Sequence, residues 1–141
     1  FVRRRIMVGA PIDDFSFGPT DRNLIGTNRM GDKGVVVNLD VGREIAELPL
    51  PGMPHLGSGI SWMRDGRRVM ATPHLREGML SVIDVADWKV IATIPTAGPG
   101  FFLRSHENSP YVWADVFFGP NKDKMHVIDK ETLQIVKTLD P

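Results

Sequence analysis

Met79-Leu80-Ser81-Val82-Ile83-Asp84 is a short apolar run closed by an aspartate. After a brief turn it is followed by the alternating run Lys89-Val90-Ile91-Ala92-Thr93-Ile94. The same frame returns at Val35-Val36-Val37-Asn38-Leu39-Asp40 with Glu44–Leu48. It returns again at Met125-His126-Val127-Ile128-Asp129 with Gln134–Leu139. The closing aspartates Asp40, Asp84 and Asp129 lie 44 and 45 residues apart. Apolar alternation at period two is the mark of half-buried strands, and a repeat of this length is the mark of stacked, similar units.

Two more strands are expected upstream of each frame. In the middle unit they are Gly59–Met63 and Arg68–His74, parted by the turn signal Arg64-Asp65-Gly66-Arg67. In the last unit they are Phe101–His106 and Tyr111–Phe118, and in the first Asp14–Phe17 and Leu24–Arg29. Four strands in about 45 residues is the plan of a β-propeller blade. The fold class is therefore all-β: about three blades of four antiparallel strands, over residues 12–53, 54–99 and 100–141. No helix of useful length is expected, and the 11 prolines and 14 glycines suit a turn-rich chain. A closed ring needs about four to eight blades, and open blades leave edges unpaired. The chain begins at Phe1 rather than Met. It is expected to be a piece of a larger propeller, with self-association or a different stacking of the same sheets as the alternatives.

Seventeen basic and seventeen acidic residues balance to zero net charge, which gives no electrostatic footprint for nucleic acid. No apolar run approaches the roughly 20 residues of a membrane span. Cysteine is absent, which rules out disulfides, thiolate metal sites and covalent CxxCH haem attachment within these residues.

Four histidines are the candidates for chemistry, because a neutral imidazole binds metal, orients small anions and moves protons near pH 7. His74 closes the second strand of the middle unit, and His106 closes the innermost strand of the last unit. His55 sits in the link Pro51–Gly57 between the first two units, and His126 lies mid-strand, where an ordinary strand residue is expected. Simple blade topology puts His55 and His74 on one face and His106 toward the other. Arg104, two residues before His106, points to the same side on strand alternation and can hold a carboxylate. The recurring aspartates are expected to accept turn N–H groups. Trp62, Trp88, Trp113, Phe101, Phe102, Phe117 and Phe118 are expected in the core between sheets. Arg3-Arg4-Arg5 reads as a solvated terminus. No metal-ligand spacing stands out.

Pro54-His55-Leu56-Gly57-Ser58-Gly59, Met70-Ala71-Thr72-Pro73-His74 and the stretch Gly98–Tyr111 together resemble the eight-bladed haem d1 domain of the cytochrome cd1 nitrite reductase and dihydro-haem d1 dehydrogenase family. The resemblance runs from about residue 12 to the end, roughly three of eight blades. It implies an oxidoreductase that binds haem d1 or dihydro-haem d1 in the periplasm and exchanges electrons with a c-type haem. His74 and His106 fall on the family's two distal-side histidines, whose role is to contact the substrate. His55 matches a histidine of the inter-blade link, and Arg104 stands where the reductases carry a lysine, implying contacts to the cofactor. The reductases' His-Pro-Gly-Arg-Gly is here His55-Leu56-Gly57-Ser58-Gly59, without that arginine. The proximal iron histidine belongs to an earlier blade and has no match here. The wording around His74 and after Asp115 is closer to the dehydrogenase, with nitrite reductase and a non-catalytic binding module as alternatives.

Overall fold

A computed structural model describes residues 4–28 and 30–140. Arg3 and Arg29, which fall in two of the expected segments, lie outside the described residues. Among the described residues twelve strands form three four-stranded antiparallel sheets, each built from four consecutive strands. The first holds β1 (Asp14–Phe17), β2 (Asn23–Thr27), β3 (Lys33–Asn38) and β4 (Arg43–Pro49). The second holds β5 (Ile60–Arg64), β6 (Arg67–Pro73), β7 (Met79–Asp84) and β8 (Lys89–Pro95). The third holds β9 (Leu103–Arg104), β10 (Tyr111–Asp115), β11 (Met125–Asp129) and β12 (Ile135–Leu139). The only helical element among the described residues is a 3-10 turn at Leu56–Ser58.

Local signals account for the hairpins. Asp65 and Gly66 both take positive φ between β5 and β6, at 49° and 76°, which is the geometry of a tight two-residue hairpin turn. The third strand of each sheet carries a register shift against the fourth, at Val36/Val37, Val82/Ile83 and Val127/Ile128. These shifts set the true repeat frame. Asn38 is paired with Arg43 as Asp84 is with Lys89, so Asn38, not Asp40, is the equivalent of Asp84 and Asp129. The hydrogen bonds agree. Asn38 Oδ1 accepts the N–H groups of Asp40 and Val41, as Asp84 Oδ1 does from Ala86 and Asp87, and Asp129 Oδ1 from Glu131 and Thr132. The sequence frame is thus two residues out in the first unit, because an asparagine fills the position held by aspartate elsewhere. The left-handed position that ends this turn is Gly42 in the first sheet but Trp88 and Leu133 in the others. Trp88 is held there against the apolar cluster between the first two sheets.

The middle sheet is covered on both sides. Val69, Ala71, Leu80 and Val82 pack with Leu103, Val112 and Ile128 toward the third sheet. Met70 and Ile83 pack with Ile25, Val36, Leu48 and Leu50 toward the first. β6 and β7 therefore read as buried runs rather than alternating ones.

Two expectations about the third sheet fail. β9 covers only Leu103–Arg104, so His106 lies outside it, and β10 stops at Asp115. Asp115 delays the start of β9, since its Oδ1 takes the N–H groups of Phe101 and Phe102, at 2.8 and 2.9 Å, while beyond its other end the His106 carbonyl accepts the N–H of Ser109 at 2.9 Å in a turn. Beyond Asp115, the N–H groups of Phe117 and Phe118 turn to the carbonyl of Pro99. The aromatic side chains are correspondingly not all core. Trp62 is buried, but Trp113, Phe102, Phe117 and Phe118 are exposed.

Candidate functional site

The three sheets are joined by two links, and three of the four histidines are fixed by them. His74, at the end of β6, is fully buried. Its Nδ1 donates to the carbonyl of Pro51 in the first link, and its Nε2 meets the Ser81 hydroxyl at 2.8 Å on β7. Burial pushes its pKa below the ordinary value, against the opposing pull of the Pro51 carbonyl and Glu77. With both nitrogens engaged and no surface open, His74 is a clamp between the link and the sheet. The ligand-facing role expected of His74 would need at least one of these two bonds to open.

His126 does the same work at the second link. Its Nε2 accepts the N–H of Ala97 at 3.0 Å, and its Nδ1 then carries the proton and donates to Thr138 Oγ1 at 2.8 Å. Burial, with a smaller push from Lys124, lowers its pKa.

His55 precedes the 3-10 turn. Its backbone N–H donates to Pro73 at 2.8 Å, beside the Pro54–His74 bridge, so His55 and His74 share one end of the middle sheet as expected. Asp14 Oδ2 fixes the turn by accepting the N–H of Leu56 at 2.6 Å. The His55 ring reaches the second link, where Nδ1 donates to the carbonyl of Phe101 at 3.0 Å and the ring packs on that of Phe101 at 4.5 Å. Rings continue the contact. Phe101 lies 4.7 Å from Phe102 and 5.4 Å from Phe117, and the Arg104 guanidinium sits 5.2 Å over Phe102. The fold thus gathers His55 and Arg104 around one aromatic group, with Phe102 and Phe117 exposed.

His106 is elsewhere. It lies in the β9–β10 loop, its carbonyl held by the buried Lys130 ammonium at 3.0 Å, at the end of the sheets where β11 turns into β12. It lines a cleft of about 810 Å³ between the second and third sheets, with Trp62, Met63, Arg68, Glu107 and Glu131. The N–H of Asn108 donates to its Nδ1, which places the ring proton on Nε2. His74 and His106 therefore sit at opposite ends of their sheets and share no contact, as the blade topology requires.

Asp14 and Asp115 position this group and were missed as site residues. Their partners lie 42 and 14 residues away, so no local motif marks them. Among the described residues no cluster of three or more His, Asp or Glu could hold a metal ion.

All 141 residues match the family model described as the cytochrome D1 heme domain. The chain belongs to the cytochrome D1 haem domain family. Across 98% of its length this haem-domain chain is 51% identical to a Pseudomonas aeruginosa protein named dihydro-haem d1 dehydrogenase, of which it spans 28%. A solved structure of dihydro-haem d1 dehydrogenase NirN, in complex with DHE, superposes with a TM-score of 0.92 and covers 98% of the chain and 30% of that protein. Kuenenia stuttgartiensis hydrazine synthase, 17% identical, superposes at 0.76 over 98% of the chain and 39% of its own, a likeness of fold. The fold of this family member is β-propeller-like.

The residues present fit one wall of a tetrapyrrole site. Exposed rings offer a flat apolar surface, Arg104 offers a cation for a peripheral carboxylate, and the imidazole of His55 has one nitrogen without a partner among the described residues.

Proposed function

We propose that this haem-domain chain is part of a haem d1-binding oxidoreductase of the dihydro-haem d1 dehydrogenase kind, contributing three blades to an eight-bladed periplasmic propeller. The observation that carries this reading is 51% identity over 98% of the chain to a protein named for dihydro-haem d1. The TM-score of 0.92 to a relative solved with DHE supports it. In this reading the other blades, the proximal iron ligand and the accepting c-type haem lie outside these 141 residues, supplied by one longer chain or by self-association.

When bound, the group supplies the redox chemistry, the dihydro form giving up two electrons and two protons. This chain's residues bind and orient. Arg104 holds a peripheral carboxylate, and the exposed Phe102 and Phe117 pack against the ring system. Asp115 fixes the backbone that carries Phe101 and Phe102. His106 presents its Nε2–H in the cleft as a hydrogen-bond donor, and His74 keeps the first link seated.

The test is the full-length protein mixed with dihydro-haem d1 and an oxidised c-type cytochrome. The expected result is growth of the haem d1 spectrum with reduction of the cytochrome. Nitrite turnover to nitric oxide without that conversion would replace this reading with the reductase one. Neither activity, with haem d1 still bound, would leave a binding module.

A further inference from the structure

Ala97, Gly98 and Pro99, in the middle of the second link, are the segment on which part of the aromatic group hangs. The carbonyl of Pro99 accepts the N–H groups of Phe117 and Phe118 at 2.9 and 3.2 Å. The carbonyl of Ala97 accepts from Asn121 Nδ2 at 3.1 Å, which ties in the loop that follows them. Gly98 lies so close that a Cβ there would meet Val116 Cγ1 and the Phe118 carbonyl at 2.9 and 3.0 Å. On its other side the segment is held to β11 by His126, whose Nε2 accepts the Ala97 N–H at 3.0 Å. A backbone N–H only donates, so Nε2 is bare and the ring proton sits on Nδ1, directed at Thr138 Oγ1 at 2.8 Å. A second proton, on Nε2, would face that donor inside a buried site.

The surroundings leave this imidazole as the group that titrates near neutrality. Its cross-strand neighbours are Ala114 and Thr138, and Thr96–Pro99 carry no charge. The second sheet packs on the third with apolar side chains, Leu80, Val82 and Ile94 among them. The loop before β11 brings Lys124, paired with Asp140 at 2.8 Å, while Lys122 and Asp123 are exposed. Burial, and after it Lys124, holds the pKa of His126 below 6.5.

Resting on the haem d1 reading above, we propose that His126 is a proton-operated catch for the aromatic group. Neutral, it holds Ala97–Pro99 and so keeps Phe117 and Phe118 set beside Phe101, at ring spacings of 5.4 and 5.0 Å, ready for a flat ligand. Protonated, it releases the segment, and the rings lose that setting. Acid thus weakens the hold on the tetrapyrrole through a buried positioning residue. The weakening starts as the pH falls through about 6.5 and grows below it, because the released imidazole takes up the proton at its ordinary value.

The experiment uses the full-length protein with imidazole-15N histidine and 15N phenylalanine. Without ligand at pH 7.5, His126 should show the Nδ1–H tautomer; an Nε2–H tautomer overturns the proposal. From pH 7.5 to 5 the Phe117 and Phe118 amides should shift along the His126 titration, and amides that do not follow it overturn the proposal whether or not any variant folds. In His126→Gln, whose amide oxygen can still accept from Ala97, those amides should stay in place; shifts as large as in the wild type overturn it. Haem d1 titrated in at pH 7.5 and 5.5 should bind the wild type about fivefold or more weakly at the lower pH, and the variant with little change. The same ratio for both proteins overturns the catch and leaves the haem d1 reading standing. A wild-type protein that binds no haem d1 at either pH, with its amides still following His126, overturns the haem d1 reading and the catch's role in binding with it.

Discussion

The backbone N–H of Ala97 donates to Nε2 of His126 at 3.0 Å, so the second link is tied to β11 by a bond that exists only while the imidazole is neutral. Protonation puts a second N–H against the first and breaks it. Burial lowers the folded-state pKa of both His126 and His74 below the ordinary 6.5. The unfolded chain thus takes up protons first as the pH falls. The stability from these neutral rings is complete above about 6.5 and is lost progressively below it, toward the lowered folded values. The charge acting on His126 is that of Lys124, which pairs with Asp140 at 2.8 Å. Denaturant midpoints measured from pH 7.5 to 5 should fall with pH, and His126→Gln should flatten that slope.

A second expectation separates the two histidines that the family resemblance pairs. His74→Ala removes the bonds to Pro51 and Ser81 from a fully buried site. The cost should be about 2–4 kcal/mol, from the lost bonds, the unsatisfied groups and the cavity. His106→Ala, in an exposed loop, should change stability by no more than about 0.5 kcal/mol. Thermal unfolding of the two variants checks this; equal losses would contradict the clamp.

The corrected repeat frame gives a third. Asn38→Ala removes the acceptor for Asp40 and Val41 and should cost about 1 kcal/mol, as loss of a local side-chain cap does. Asp40 only faces Arg22 at 3.9 Å in solvent, so Asp40→Ala should fall within about 0.5 kcal/mol. Urea titration distinguishes them, and the reverse order would restore the frame read from the aspartates.

Asp115→Ala strips the acceptor from two successive N–H groups, Phe101 and Phe102. The expected loss is about 1–3 kcal/mol, with faster amide exchange at both residues and at the link carrying His55's partner. Unchanged exchange there would show that the carboxylate does not hold the aromatic group.

Acid below the ordinary carboxylate value of 3.8 should open a separate transition. Arg67 above all, and the turn N–H groups, hold the Asp84 carboxyl low, and the turn N–H groups do so at Asp129. Their stabilisation is complete above about 3.8 and is lost as the pH falls from there toward the lowered folded values. Circular dichroism from pH 5 to 2 reads it, and Arg67→Gln should move the transition upward.

The sequence by itself determined the repeat and the strands. Period-two alternation, the Arg64–Arg67 turn and the recurring Ile-Asp frame are local signals, and hairpins pair neighbours, so the three sheets follow from residues close in the chain. It also named the histidines and Arg104. It could not tell which imidazole is free, because that depends on partners far away: Pro51 for His74, 23 residues off, and Phe101 for His55, 46 residues off. Nor could it see that Asp115 would delay the start of β9, or that a turn closed by the Ser109 N–H on the His106 carbonyl would leave His106 in a loop. A strand is set by its own alternation, whereas a lone pair is free or spent according to which backbone group the packing of separate sheets brings against it, and only the tertiary structure decided that.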